Sequence, residues 1–345
     1  MARLILQAMA MAGLEPRTAS VLRVYLKTGD SELPRFQQEA AAEIEALMER
    51  YRSGKLQRPA CWFTYHPYYK SPDLIGPVVA RELGIPYVTA EASWSRKRAS
   101  GAWARAHALN EAGLRSARLH LCLTARDRAG LEEFLGGEEN LKSFPPFIDV
   151  SKIDAGARED RGAVAGPVRL LTVGMMRQDV KLESYQMLAQ VLEGMQDAPW
   201  LLDIVGDGEA RRDVERAFQP IEQARLNWRG QLSQETLFRC YSKADIYVWP
   251  GFGEAFGMAY LEAQAAGLPV VAQDTKGVPS VVEQGRTGLL TQENDVAAFR
   301  AAVRLLIDTP AKRREMSGQA MKFVRDERSL EQAAARLHNL LGALL

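Results

Sequence analysis

Short apolar runs alternate with amphipathic segments along most of the chain, and this alternation favours a parallel α/β architecture. In the first half, the pattern predicts strands at 60–65, 87–90 and 119–124 and helices at 33–54, 74–83 and 101–116. Strands that alternate with helices are joined by right-handed crossovers. These elements therefore predict a doubly wound sheet.

The beginning of the chain predicts a helix and then a strand. Residues 2–12 contain good helix formers with apolar side chains on one face, and Gly13 is a helix-stop signal. Residues 17–23 have a strand-like pattern.

The second half repeats the alternation from Val168 onward. It predicts strands at 169–173, 201–205, 227–229, 246–249, 270–272 and 288–290, and an amphipathic helix at 330–345. Residues 151–167, which are rich in Gly, Ala and charged residues, predict a loose connection between the halves.

Composition excludes several classes of protein. Of the 345 residues, 47% are hydrophobic and 25% charged, and this length and composition predict a globular protein of two domains. The net charge of +1 gives no overall bias toward nucleic acid. Cys61, Cys122 and Cys240 lack the spacing of a disulfide or metal site, so we expect small buried residues in a reducing, cytoplasmic compartment.

The stretch 250–272 carries the strongest chemical signal. A strand runs into a glycine-rich turn that contains Glu254, and the turn opens a helix that contains Glu262. Glycine lets backbone approach a ligand closely, and the free N–H groups at a helix start bind phosphate. A diphosphate flanked by two carboxylates that bind hydroxyls fits a sugar nucleotide. The alternative is an ordinary helix with two solvated glutamates.

At these residues the chain resembles the retaining glycosyltransferases of family 4 (glycosyl transferases group 1). Their signature is two glutamates separated by seven residues, then Glu-Ala, small residues and Gly-x-Pro-Val, and it is matched by Glu254, Glu262-Ala263 and 267–270. The resemblance implies the GT-B fold, an α/β architecture of two doubly wound Rossmann-like domains facing across a cleft. It also implies that Phe256, Gly257 and Met258 bind the donor together with Glu262.

The resemblance sets expectations for the organisation of the chain. Residues 142–149 resemble the interdomain linker of the family, and family members begin with a strand and glycine-rich loop that this sequence does not show. We therefore expect a first domain at 1–149 that lacks its first strand, a nucleotide-sugar domain at 150–325, and a C-terminal helix at 326–345 that can cross back. A divergent domain that begins with a helix is the alternative.

Other donor-side candidates follow the ends of predicted strands. Arg177 and Lys181 stand four residues apart after the turn at Gly174, so we expect both to face the diphosphate. Gly206 lies in a turn that resembles the family's Val-Gly-Asp-Gly turn, where Asp207 is a candidate helix cap. Gln231 follows a further strand and is a candidate contact to the nucleotide base.

The acceptor-side candidates lie in the first half. His66 follows a strand and is surrounded by tyrosines, and Glu91 stands at a strand end where many family members have histidine. We take Glu254, His66 and Glu91 as the catalytic candidates. The basic run 96–98 between Trp94 and Trp103 fits an anionic acceptor or a membrane surface, and hence a peripheral location at the inner face of the membrane.

The resemblance implies transfer of a sugar from a UDP- or GDP-sugar to a glycan, lipid or small metabolite, with retention of configuration. It implies no cofactor and no metal, because basic groups and a helix N-terminus would stabilise the leaving diphosphate. Another GT-B enzyme, such as a phosphorylase or epimerase, is one alternative. A catalytically inactive partner subunit is the other, and nucleic acid is not an expected partner.

Overall fold

The computed structural model describes residues 1–153 and 166–344, and the chain divides into two compact units. Unit 1 consists of Met1–Pro145 and Ala333–Leu345, and unit 2 of Pro146–Gln332. The predicted boundary at 149/150 therefore lies slightly late, and the predicted terminal piece 326–345 is divided between the units. Most of the predicted loose connection at 151–167 lies outside the described residues.

Unit 1 is built on a parallel sheet with the strand order β1-β2-β3-β4. Its elements in chain order are α1 (Ala2–Met11), α2 (Leu33–Arg52), β1 (Trp62–Tyr65), α3 (Gly76–Leu83), β2 (Tyr87–Ala90), α4 (Ala104–Ser116), β3 (Leu119–Cys122), α5 (Ala125–Leu135) and β4 (Leu141–Ser143). Since all four strands run in one direction, their carboxyl ends share one edge of the sheet, and the loops that leave them meet there.

Unit 2 is built on a six-stranded parallel sheet with the order β10-β9-β8-β5-β6-β7. Its elements are β5 (Val168–Val173), α6 (Val180–Glu193), β6 (Trp200–Val205), α7 (Arg211–Ala217), β7 (Leu226–Gly230), α8 (Gln234–Lys243), β8 (Ile246–Val248), α9 (Met258–Ala265), β9 (Val270–Gln273), β10 (Gly288–Thr291), α10 (Val296–Asp308) and α11 (Pro310–Glu327). The last helix, α12 (Leu330–Gly342), begins in unit 2 and continues into unit 1.

The strand predicted at 17–23 is wrong, because no strand is assigned there. A strand needs a hydrogen-bonded neighbour, and the sheet of unit 1 has β1 at its edge with residues 14–28 outside it. This segment is attached where the Leu26 N–H donates to Lys70 O at 2.8 Å, while Val21 is 87% exposed. The residue pattern at 17–23 favours an extended backbone, but the sheet does not include this segment.

Other differences are smaller and have local causes. The predicted linker at 142–149 begins inside β4, and α5 precedes that strand without having been predicted. Helix α3 begins at Gly76 rather than 74, because the Asp73 carboxylate accepts the N–H groups of Ile75 and Gly76 at 2.9 and 2.8 Å and fixes the turn before the helix. Of the three cysteines expected to be buried, only Cys122 is; Cys61 and Cys240 are partly exposed.

Among the described residues, no helix combines the length and the apolar character needed to cross a lipid bilayer.

Candidate functional site

The centre of the unit 2 sheet is a topological switch point. Strands β5 and β8 are neighbours there, and the chain proceeds outward from β5 to β6 and β7 and from β8 to β9 and β10. The loops that leave two such strands diverge and open a crevice at the carboxyl edge of the sheet, where α/β folds bind ligands. The loop after β5 contains Gly174, and the loop after β8 contains Glu254.

The turns after β5 and β6 are packed backbone against backbone. A Cβ atom on Gly206, whose φ is +139°, would lie 1.8 Å from Gly174 O, so no other residue fits without moving the turn. The Tyr185 hydroxyl donates to that same carbonyl at 2.7 Å. Gly174 and Gly206 therefore allow these two turns to approach each other closely at the carboxyl edge of the sheet.

A lysine, a glutamate and a tryptophan meet at the switch point. Lys181, in the first turn of α6, donates from its Nζ to Glu254 Oε1, and Trp249 Nε1 donates to the same oxygen at 3.0 Å. The side chains of Lys181 and Glu254 are only 15% and 16% exposed. Two charges held this far from solvent interact strongly and behave as a single unit. Both residues were candidates from the sequence, but the ion pair between them was not predicted.

The start of α9 is open to an anion. Its N-cap is Gly257, with φ +78°, and no described side chain caps the helix. The first N–H groups of a helix have no partner within it, so the N-terminus at Met258 presents free donors and the positive end of the helix dipole. A Cβ atom on Gly257 would lie 2.5 Å from the Tyr260 ring, while Phe256 is buried beneath the turn.

Glu262 lies in the second turn of α9 and is largely shielded from water. Burial raises the pKa of its carboxyl group above the ordinary value, and the Tyr241 hydroxyl, which donates to Oε2 at 3.1 Å, opposes that rise in pKa only in part. A carboxylate with a single neutral donor retains lone pairs for further donors. Tyr241 comes from α8, twenty-one residues away, and sequence reasoning did not identify it.

Three donor-side expectations require correction or remain open. Helix α6 begins at Val180, so Arg177 lies before it, and the helical spacing that was expected to turn Arg177 and Lys181 toward one diphosphate is wrong. Donor binding by Arg177 stays a prediction. Arg177 is half-exposed and lies 3.7 Å from Asp179. Asp207 does not cap α7, because that helix begins at Arg211. Gln231 is exposed in the turn after Gly230, whose carbonyl accepts the Gly206 N–H at 2.8 Å.

The carboxyl edge of the unit 1 sheet brings His66 and Glu91 together. His66 directly follows β1 and Glu91 directly follows β2, and both have positive φ angles, of 60° and 55°. Such angles strain residues other than glycine and concentrate at functional sites. His66 Nδ1 lies 3.4 Å from Glu91 Oε1, and the Tyr65 hydroxyl donates to Glu91 Oε2. The two acceptor-side candidates therefore form one cluster.

A further acid belongs to this cluster and was missed from the sequence. Thr124 follows β3 and caps α5, and its hydroxyl donates to Asp127 Oδ2 at 2.6 Å. Burial raises the pKa of Asp127, and the nearby Glu91 carboxylate raises the pKa further, whereas His66 lowers it. The signal was present in the sequence, because a threonine at a strand end three residues before an acid is a helix-start pattern.

Comparison of His66 with His107 and His120 gives a direct test of this cluster. Burial lowers the pKa of His66, but the hydrogen bond and charge of Glu91 outweigh it, so the net pKa lies above 6.5. Burial lowers the pKa of His107 below that value, and that of His120 to about 4. In an NMR titration of the imidazole protons, we expect His66 to titrate above the other two, and Glu91→Gln to lower the pKa of His66.

The sign of the effect on stability follows from the same shift. A histidine with a raised pKa stabilises the folded state below its unfolded pKa, and this contribution is lost as pH rises through the folded pKa. Glu91→Gln should therefore reduce the free energy of unfolding more at pH 5.5 than at pH 8. A His66 signal whose pKa is unaffected by Glu91→Gln would show that the two side chains are not coupled.

Two parallel-sheet α/β units, with an open helix N-terminus at the switch point of the second, define the architecture. The chain has the GT-B fold, as the likeness to solved structures shows. Sucrose-phosphate synthase from Thermosynechococcus elongatus matches with TM-score 0.71 and 19% identity over 99% of this chain and 92% of that chain. HepE from Anabaena, solved in complex with UDP, matches with TM-score 0.67 and 16% identity over 88% and 82%.

Residues 167–309, which include all the donor-side candidate residues, match the family model described as Glycosyl transferases group 1. The D-inositol 3-phosphate glycosyltransferase of Streptomyces avermitilis is 41% identical over 86 residues, 25% of this chain and 18% of that protein. The GDP-mannose-dependent monoacylated alpha-(1-6)-phosphatidylinositol monomannoside mannosyltransferase of Corynebacterium glutamicum is 28% identical over 221 residues, 60% and 57% of the two chains. The chain thus spans less than two thirds of the length of either relative.

Proposed function

We propose that this chain is a retaining glycosyltransferase of family 4 that transfers a sugar from a nucleoside-diphosphate sugar to an acceptor. The observation that carries the proposal is the arrangement at the switch point of unit 2. There the shielded Lys181–Glu254 pair lies beside the uncapped start of α9, and Glu262 lies one turn further along that helix. The match of residues 167–309 to the group 1 model supports the same assignment.

Each part of the donor has a complementary group in this proposal. The free N–H groups at Met258 and the Lys181 ammonium bind the diphosphate. The N–H groups donate hydrogen bonds from the positive end of the helix dipole, and the ammonium supplies a full charge. Glu262 accepts hydrogen bonds from the ribose hydroxyls, for which it must be ionised. Gln231 and the Gly206 turn lie at the neighbouring strand ends and border the base. Either uridine or guanosine fits these groups, since none of them reads the base edge.

The chemistry follows from which charges develop during transfer. Breaking the bond between the sugar and the diphosphate places negative charge on the leaving phosphate, and the start of α9 with Lys181 stabilises that charge more strongly in the transition state than before it. These groups supply the compensation without a metal ion. Glu254, held by Lys181 and Trp249, is oriented to bind the sugar hydroxyls. The departing phosphate then takes the proton of the acceptor hydroxyl, and the oxygen of that hydroxyl bonds to the anomeric carbon on the face that the phosphate leaves, so that configuration is retained.

The acceptor class is proposed from unit 1 and from the relatives. His66 and Glu91 bind and orient the acceptor hydroxyl in this proposal. The relatives named above are a D-inositol 3-phosphate glycosyltransferase and a phosphatidylinositol monomannoside mannosyltransferase, so the acceptor that we propose is a phosphorylated polyol or its lipid-linked form. A lipid-linked acceptor would place the protein at the inner face of the membrane as a peripheral protein.

Calorimetric titration with a panel of UDP- and GDP-sugars in the presence of EDTA tests the donor assignment. We expect saturable binding of one nucleotide class, weakened about tenfold or more by Glu262→Ala, because a charged acceptor of hydrogen bonds is removed. Release of free nucleotide by slow transfer to water is measured in the same samples. Binding without any turnover would identify an inactive partner subunit, and no binding by the folded protein would remove the donor site.

A further inference from the structure

A ladder of aromatic rings leads away from His66 along one side of unit 1. The His66 ring is 4.8 Å from that of Tyr68, Tyr68 is 5.4 Å from Tyr69, and Tyr69 is 5.9 Å from Trp103, between ring centroids. The last two contacts are edge-on, which is the preferred geometry of aromatic pairs. The ladder therefore forms a continuous series of aromatic contacts that begins at the candidate catalytic cluster.

Two cations stand on this ladder. Lys70 Nζ lies 5.0 Å from the centre of the Trp103 ring and 6.0 Å from that of Tyr69, and Arg98 Cζ lies 4.5 Å from the centre of the Tyr69 ring. Both charges are thus held around Tyr69. Cation–π contacts orient a cation but do not neutralise it.

Neither cation has an acidic partner within residues 1–153 and 166–344. The adjacent Arg96, in contrast, forms an ion pair with Glu133 at 2.8 Å. Asp30, whose N–H donates to Ala102 O, lies in this region, and its two carboxylate oxygens accept the N–H groups of Arg105 and Ala106 at 2.7 and 2.9 Å. The Asp30 carboxylate therefore binds the first N–H groups of α4. The positive charges of Lys70 and Arg98 therefore remain available to an anion.

The backbone beneath the two cations is fixed from both sides. Lys70 O accepts the Leu26 N–H at 2.8 Å, Trp103 Nε1 donates to Leu26 O at 3.3 Å, and the Asp30 N–H donates to Ala102 O at 2.6 Å. These contacts connect the segment before α2 to the loops after β1 and β2. A pair of cations on a scaffold of this kind is arranged before a ligand arrives, which lowers the entropic cost of binding.

We propose that Lys70 and Arg98 bind a phosphate group of the acceptor. This proposal rests on the proposed function, because only a glycosyltransferase has an acceptor. The anion site itself does not depend on glycosyl transfer. A guanidinium and an ammonium together give several donors to a phosphate. The rings of Tyr69 and Trp103 border the site, and the Tyr68 ring separates it from His66, where the reacting hydroxyl of the same molecule is held.

The shared chemistry is a phosphate mono- or diester, which a small metabolite or a lipid headgroup can supply. The probes are therefore glycerol 3-phosphate, followed by calorimetry, and vesicles of phosphatidylcholine with or without one fifth phosphatidylglycerol, followed by co-sedimentation. UDP and GDP are both present throughout, so that the proposed phosphate site of unit 2 is filled whichever nucleotide it takes. Binding is compared in the parent protein, Arg98→Gln, and Lys70→Met/Arg98→Gln.

Lys97→Gln is the matched control, because Lys97 is exposed between Arg96 and Arg98 and contacts no ring in the described structure. We expect affinity for one probe to fall about tenfold with Arg98→Gln and further with the double variant, and to change less than twofold with Lys97→Gln. Arg98 is exposed, so its replacement tests the site even if the double variant does not fold.

The outcomes separate the sources of the phosphate and the two proposals. A loss confined to glycerol 3-phosphate indicates a soluble acceptor, and a loss confined to anionic vesicles indicates a lipid headgroup. If Lys97→Gln and Arg98→Gln lost equal affinity for the probe, the effect would come from general surface charge and the site would be overturned. Absence of binding of either probe would also overturn it. A protein that binds the probe here but no nucleotide sugar would keep this site and lose the proposed function.

Discussion

Replacing Lys181 by methionine is expected to reduce the free energy of unfolding by about 3 kcal/mol and to lower turnover roughly a hundredfold. The loss of stability arises because Glu254, only 16% exposed, would keep its charge without its cation. The loss of turnover arises because the leaving phosphate would lose one of its positive groups. Urea denaturation with an unchanged m value measures the first effect, and a nucleotide-release assay measures the second.

The matched control and the double variant separate these two effects. Arg177→Met removes a cation from the same turn, but one that is half-exposed and 3.7 Å from Asp179, so we expect it to change stability by less than about 0.5 kcal/mol. Lys181→Met/Glu254→Gln should recover most of the lost stability and none of the lost turnover. If the double variant were as unstable as the sum of the single ones, the two charges would not act as a pair.

The second large effect is expected at Glu262, where stability and binding should change in opposite directions. Burial raises the pKa of this carboxyl, so ionisation is less favourable in the folded than in the unfolded state. A group with a raised pKa contributes stability that is present below its unfolded pKa and lost as pH rises through the folded pKa. Glu262→Gln should therefore raise the Tm at neutral pH while it weakens donor binding about tenfold or more.

Tyr241→Phe is the companion variant, because it leaves the carboxylate in place and removes the hydroxyl that lowers its pKa. We expect donor affinity in this variant to weaken at a higher pH than in the parent as pH is lowered, since the carboxylate becomes protonated earlier. The advantage in Tm of Glu262→Gln over the parent should vanish in acid. A Glu262→Gln protein that is less stable than the parent at neutral pH would contradict the argument.

Local patterns in the sequence were sufficient for much of the fold. The strands of unit 2 were predicted to within two residues at their ends, because apolar runs of strand length bounded by glycine and polar residues depend on few neighbours. The turn and helix around Glu254 and Glu262 are confirmed for the same reason. Two parallel α/β domains were also predicted correctly, since alternation of strands and helices allows few other topologies.

Two features were predicted wrongly: a strand that needs a neighbouring strand, and a helix boundary. The segment 17–23 has a strand-like sequence, yet strand formation requires a sheet edge that receives it. The expectation that Arg177 and Lys181 face one diphosphate assumed a helix that contains both residues, whereas α6 begins at Val180. For residues 17–23 the error lay in the tertiary surroundings, which the sequence does not display. For Arg177 it was local, because the Asp179 side chain accepts the Lys181 N–H and caps α6 after Arg177.

The sequence by itself determined the kind of fold, the position of the glycine turns and the acidic and basic residues available for chemistry. Only the tertiary structure decided which of them act together. It joined His66 to Glu91 across β1 and β2, placed Tyr241 of α8 on Glu262, and held Lys181 against Glu254. These pairs are separated by between 21 and 73 residues along the chain. Contacts of that kind are created when crossovers bring loops and helices that are distant along the chain to neighbouring positions on one sheet, and no local pattern encodes them.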